Sequence, residues 1–135
     1  MASPAPRPVR VLVVDDHGLF ADALTLYLRR DRRISVVGTA SSGQEAIDLA
    51  LAENADVVLM DIFMRGMDGL EATKQLRALR PETHVIVLTG LSGDEVGPQA
   101  TEAGAVGHLQ KGAIHDHVVD AVLRVAAGEP LGPIQ

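Results

Sequence analysis

A chain of 135 residues, 47% apolar and 22% charged, has room for one globular domain with a full core and no room for two. Its net charge of -6, from 12 Lys and Arg against 18 Asp and Glu, weighs against direct nucleic-acid binding, which needs clustered cations. The absence of cysteine excludes disulfides, thiolate metal sites and thiol catalysis, and aromatics at only 2% demand an aliphatic core and argue against base-stacking recognition of single strands.

Residues 1–8 are rich in proline and predict an extended or disordered tail, without the apolar core of a signal peptide. A first strand follows over Val9–Val14 and ends in Asp15 and Asp16. Asp16 is placed to cap a helix whose inward positions are Phe20, Ala23, Leu24 and Tyr27 and which ends in Arg29 and Arg30. The second strand runs from Ile34 to Ala40, interrupted by Gly38. Ser42 and Glu45 form a capping-box pattern that opens a helix to about Glu53.

The central strand, residues 56–61, carries four consecutive apolar residues and stops at Asp61; a loop with Gly66 and Gly69 separates it from a helix with Leu70, Thr73, Leu76 and Leu79 on one side, closed by Pro81. Val85 to Thr89 predicts a fourth buried strand. Gly97-Pro98 falls inside the next helical stretch, so that helix should begin near Gly97 or break there. A short fifth strand, Val106 to Gln110, leads into Lys111. The last helix covers about Ile114 to Ala127 with Val118, Ala121, Val122 and Val125 inward, and Gly128 and Pro130 end it. Strands and helices alternate five times. The fold expected is α/β, a single doubly wound, five-stranded parallel sheet in the order 2-1-3-4-5, flavodoxin-like, with its domain over residues 9–128 and a linker starting at 129–135. No apolar run approaches the roughly 20 residues of a bilayer span, and a cytoplasmic protein without membrane contact is expected.

Ligands of open parallel sheets bind at the carboxyl ends of the strands, beside the point where strand order reverses. Four strand ends here carry chemistry: Asp15 and Asp16, Asp61, Thr89, and Lys111. Taken singly, each has an ordinary reading as cap, strand residue or surface lysine. Gathered at neighbouring ends, the acids repel one another unless a cation intervenes, and oxygen ligands of this kind suit Mg²⁺. The set suits phosphoryl chemistry. Asp61 is the candidate nucleophile, Lys111 and Mg²⁺ neutralise the transferring group, and Thr89 hydrogen-bonds one of its oxygens.

The motifs Val-Val-Asp15-Asp16-His17, Met60-Asp61-Ile-Phe-Met-Arg-Gly-Met-Asp68-Gly69, Leu88-Thr89 and Lys111-Gly112-Ala113 resemble the receiver domain of bacterial two-component response regulators, over about Val9 to Gly128. The wording Asp-Asp-His-Gly-Leu-Phe and Val-Ala-Ala-Gly-Glu-Pro is similar to the NarL/FixJ (LuxR-type) subfamily. The resemblance implies that Asp61 takes a phosphoryl group from a histidine kinase's phosphohistidine. It also implies that Asp16, Asp61 and the Phe63 carbonyl bind Mg²⁺ with support from Asp15, and that Thr89 and Lys111 transmit the change. The implied protein transfers phosphate only to and from itself and is not a multiple-turnover enzyme. The face of the fourth helix, fifth strand and fifth helix would then dimerise or release a helix-turn-helix DNA-binding domain absent from this chain; a stand-alone receiver is the alternative.

Several positions depart from the family pattern. Arg65 stands where proline is usual, His108 occupies the position of the usual Tyr or Phe switch, and Gly97-Pro98 interrupts the fourth helix. Phe63 and Leu91, two residues after Asp61 and Thr89, are apolar where the family varies the residues that admit water, so slow self-dephosphorylation is expected. His115 and His117 start a helix two apart, on different sides, and receive no function. A haloacid dehalogenase type phosphatase would want an acid at residue 63, and no glycine-rich nucleotide motif follows any strand. A receiver acting as a phosphorylation-independent interaction module is the other alternative.

Overall fold

The computed structural model describes residues 7–90, 93–129 and 131, apart from the side chains of 93–95. In chain order the elements are β1 (Val9–Val14), α1 (Gly18–Leu28), β2 (Ile34–Ala40), α2 (Gly43–Ala52), β3 (Val57–Asp61), α3 (Gly69–Leu79), β4 (His84–Thr89), α4 (Gly93–Ala103), β5 (Gly107–Gln110), a 3-10 turn at Lys111–Ala113 and α5 (Ile114–Ala126). The sheet has the order β2-β1-β3-β4-β5, with every neighbouring pair parallel. Strand order reverses at β1, whose end therefore lies beside that of β3. The expected doubly wound architecture is the one observed.

Period-two alternation divides the sheet's residues between two cores. Val11, Val13, Val57, Leu59, Ile86 and Leu88 pack with α1 and α5; Leu12, Val14, Val58, Met60, Val85 and Val87 pack with α2, α3 and α4. Every residue of β3 is buried, which explains a strand without polar alternation. At about 1.5–3 kcal/mol for each fully buried aliphatic side chain, these two layers hold the sheet against its helices. In β2, Val11 pairs with Val36 and Leu12 with Gly38, so Val37 is the extra residue of a bulge beside the glycine.

Local signals set three of the helix ends. The Ser42 hydroxyl accepts the Glu45 N–H at 3.2 Å, while the Glu45 carboxylate accepts from Ser41 N–H at 2.7 Å, one residue before the expected partner. Asp68 caps α3 by accepting the Glu71 N–H at 2.8 Å. Gly128, at φ +81°, ends α5.

Four expectations are corrected. Asp16 does not cap α1: His17 holds the cap position without a side-chain bond, because the Asp16 carboxylate is turned to the Arg65 N–H. The buried stripe of α1 is Ala21, Leu24, Thr25 and Leu28, leaving Ala23 exposed and Phe20 and Tyr27 half-buried. On α3 the sheet covers Ala72, Thr73 and Leu76, and Leu79, in the last turn beside that stripe, is exposed. Helix α4 neither starts at Gly97 nor breaks there; it runs through Pro98. Pro98 forfeits one backbone bond, to the carbonyl of residue 94 in the first turn, at a cost of about 3 kcal/mol. Burial of Val96, Ala100 and Ala103 against the sheet offsets it.

The loop after β3 folds back on that strand's own end. Gly69 N–H donates to the Ile62 carbonyl at 2.9 Å, and a Cβ on Gly69 would lie 2.0 Å from the Asp61 carbonyl oxygen. No side chain fits there without moving the backbone that carries Asp61. Gly66, at φ +78°, meets nothing within 4 Å of an added Cβ. We predict that Gly69→Ala lowers stability in urea denaturation by roughly 3 kcal/mol and Gly66→Ala by only about 1 kcal/mol, the cost of a left-handed residue. Equal losses would contradict this account.

Candidate functional site

The parallel register of β1 and β3, which pairs Val14 with Met60, carries Asp15 alongside Asp61. Asp15 and Asp61 are each only 2% exposed, and Asp16 is half-buried beside them. Thr89, fully buried, ends β4 opposite Gln110 of β5, and the 3-10 turn that follows β5 begins with Lys111. Lys111 Nζ lies 2.6 Å from Asp15 Oδ2 and 3.4 Å from Asp61 Oδ1, so residues almost a hundred positions apart share one ion-pair network.

Two members of this site were not singled out in the sequence. Lys111 Nζ stands 4.7 Å from the centre of the Phe20 ring, a cation–π contact worth about 0.5–2 kcal/mol; helical spacing alone makes Phe20 a core residue. His17 donates its peptide N–H to Asp15 Oδ1 at 2.8 Å, and its ring Nδ1 lies 3.1 Å from the same oxygen and 3.5 Å from Asp16 Oδ1. The signal available for His17 was its place directly after the two acids.

Burial, and then the charge of Asp15, push the Asp61 carboxyl up to about 6, against the pull of the Lys111 ammonium and the Phe63 N–H. One oxygen, Asp61 Oδ2, is buried and accepts no hydrogen bond among the described residues. Ligand atoms of Asp15, Asp16, His17 and Asp61 all lie within 4.8 Å of one another. An unbonded buried oxygen amid three carboxylates is what a divalent cation would satisfy, so the donor set fits a hard cation.

A cleft of about 460 Å³ opens beside Asp16, lined by Asp16, His17, Phe63, Met64, Arg65 and Asp68. Phe63, 61% exposed, stands at this mouth. Leu91, its expected counterpart, lies outside the described residues. Away from the cleft, His108 is half-buried against α4. A Cβ on Gly97 would sit 3.6 Å from its ring Cε1, so two of the departures noted above are neighbours in space. The His115 ring meets the edge of Tyr27 at 4.6 Å between centres, and its carbonyl accepts the Tyr27 hydroxyl at 2.8 Å.

Fold and site define a doubly wound α/β protein with an acidic, lysine-bridged centre at adjacent strand ends. The family model of the response regulator receiver domain matches residues 11–123. The transcriptional regulatory protein LiaR of Bacillus subtilis is 39% identical over 122 residues, 90% of this chain and 58% of LiaR. The response regulator GacA of Pseudomonas aeruginosa is 40% identical over 121 residues, 90% of this chain and 56% of GacA. The receiver domain of the putative regulator NarL from Mycobacterium tuberculosis superposes with a TM-score of 0.86 at 35% identity, covering 92% of this chain and all of that one. The chain belongs to the response regulator receiver domain family, and its relatives are of the NarL/FixJ type. It spans under two thirds of the length of LiaR and GacA. No helix among the described residues is long and apolar enough to cross a membrane.

The raised Asp61 carboxyl sets a direction for stability against pH. Below its ordinary value near 3.8 the group is protonated folded and unfolded, and nothing is lost. As pH rises, the unfolded chain releases the proton first. Folding stability of the metal-free protein should therefore fall between about pH 4 and pH 7, by roughly 3 kcal/mol from this group. Urea denaturation in a chelator across this range checks it: Asp61→Asn should flatten that part of the profile and be the more stable protein at pH 8.

Proposed function

We propose that this chain is a phosphorylation-dependent signal receiver of a two-component system, with Asp61 as the phosphoacceptor. The observation that carries the reading is the Asp15–Lys111–Asp61 network with an Asp61 Oδ2 that accepts no hydrogen bond among the described residues. In the step proposed, an Asp61 oxygen bonds to phosphorus as the phosphorus–nitrogen bond of a histidine kinase's phosphohistidine breaks. The departing imidazole keeps that electron pair and takes a proton from solvent. Mg²⁺ held by Asp15, Asp16, Asp61 and the Phe63 carbonyl would supply charge neutralisation for the transferring oxygens. Lys111 leaves Asp15 to meet a phosphoryl oxygen, and Thr89 hydrogen-bonds another.

The output is a shift between two arrangements of the face built from α4, β5 and α5, with Thr89 and His108 as the switch. That face forms a homodimer or controls a DNA-binding domain beyond this chain, and so transcription. LiaR's description as a transcriptional regulator supports the second output. The activity is confined to the protein's own phosphorylation and dephosphorylation, and its setting is the cytoplasm. Phe63 offers no polar side-chain atom to an attacking water, which supports slow hydrolysis of the acyl phosphate.

Intact mass after incubation with Mg²⁺ and acetyl phosphate tests this. One added phosphoryl group is expected, lost in Asp61→Asn and in chelator, and retained for hours after donor removal. No gain under conditions that label an ordinary receiver would sink the reading in favour of the phosphorylation-independent interaction module; rapid loss from Asp61 would refute the slow hydrolysis alone.

A further inference from the structure

The peptide N–H of Arg65, in the loop after β3, donates to Asp16 Oδ2 at 3.3 Å, joining it to a residue 49 positions earlier at the end of β1. The other carboxylate oxygen, Oδ1, faces His17 Nδ1 at 3.5 Å. Asp16 is half-buried and lies in the group of ligand atoms spaced within 4.8 Å, yet its side chain is 19% exposed where those of Asp15 and Asp61 are 0% and 3%, so burial fixes it less than it fixes them. Something must hold it there. A proline at residue 65 has no N–H and could not.

We infer that the Arg65 backbone amide is a positioning donor for the cation-binding carboxylate Asp16. It ties the two loops across the cleft and orders Asp16 before an ion arrives, so less rotamer freedom is lost on binding. Outer partners of ligating carboxylates commonly contribute tenfold or more in metal affinity; this bond is solvent-exposed and long, at 3.3 Å, so an effect at the lower end is expected. The donor is the amide, so the guanidinium is dispensable. The inference rests on the divalent-cation reading of the acidic cluster given above.

Calorimetric titration of Mg²⁺ into the wild-type chain, Arg65→Ala, Arg65→Pro and Asp61→Asn tests it. Arg65→Ala keeps the N–H and should bind within about twofold of wild type. Arg65→Pro should bind roughly three- to tenfold more weakly. Proline also restrains Met64, so amide hydrogen exchange gives a second measure that needs no proline. In the wild type the Arg65 N–H should be protected, and Asp16→Ala should abolish that protection. Equal Mg²⁺ affinity in the Ala and Pro variants, or an Arg65 amide that exchanges equally fast in wild type and Asp16→Ala, overturns the inference. Wild type that binds no Mg²⁺, or binding that survives Asp61→Asn, removes the cation reading itself and the inference with it.

Discussion

Three carboxylates share a few ångströms with one ammonium group. That arrangement is costly: two of the acids are buried, and an ionised carboxylate out of water without full compensation destabilises the fold. Lys111 bridges Asp15 and Asp61 but Asp61 Oδ2 accepts no hydrogen bond among the described residues, and burial, with the charge of Asp15, raises the Asp61 carboxyl to about 6 in spite of the ammonium. The centre is therefore incompletely satisfied by the chain alone. A site of this kind gains from anything that brings positive charge to it, and the proposed cation and phosphoryl chemistry use that deficit. The Phe20 face beneath Lys111 keeps the one available ammonium near both acids.

The sheet supplies the rigidity that such a centre requires. Two aliphatic layers grip β1, β3 and β4 from opposite sides, so the strand ends cannot splay to relieve repulsion. The loop after β3 is pressed against the backbone of Asp61 at Gly69, which fixes where that strand stops. The two loops above the acids are linked through Arg65 and Asp16, so the mouth of the cleft is set by the same residues that line it.

The departures from the family pattern form one physical patch in part. The His108 ring rests beside Gly97, at a distance where an added Cβ would make ordinary van der Waals contact, and Pro98 follows in a helix held by Val96, Ala100 and Ala103. A glycine and a proline weaken α4 intrinsically. The α4 side of the proposed output face therefore depends on tertiary burial more than on helix propensity. In such an element a modest change at Thr89 or Lys111 competes with a small stabilisation.

Much was legible in the residues alone. Runs of buried aliphatics ending in Asp15, Asp61 and Thr89, separated by helical periodicity and glycine turns, gave the strand count, the parallel class and the acidic centre, because buried parallel strands have no polar alternation and their ends are where polar groups can emerge. The capping signals at Ser42 and Gly128 worked because they are interactions between residues a few positions apart. What failed was decided at a distance. Asp16 has the chemistry of a cap, but a loop 49 residues away claims its carboxylate. Pro98 reads as a break, yet burial against a sheet assembled from five other segments holds the helix through it. Phe20 joined the site only because the fold brings Lys111, 91 positions later, over its ring. Sequence by itself determined which residues could be strands, turns and acids at strand ends, since those follow from local sterics and the period of burial. Only the tertiary structure decided which partner each polar group takes, because several partners are chemically equivalent and the fold's distances choose among them.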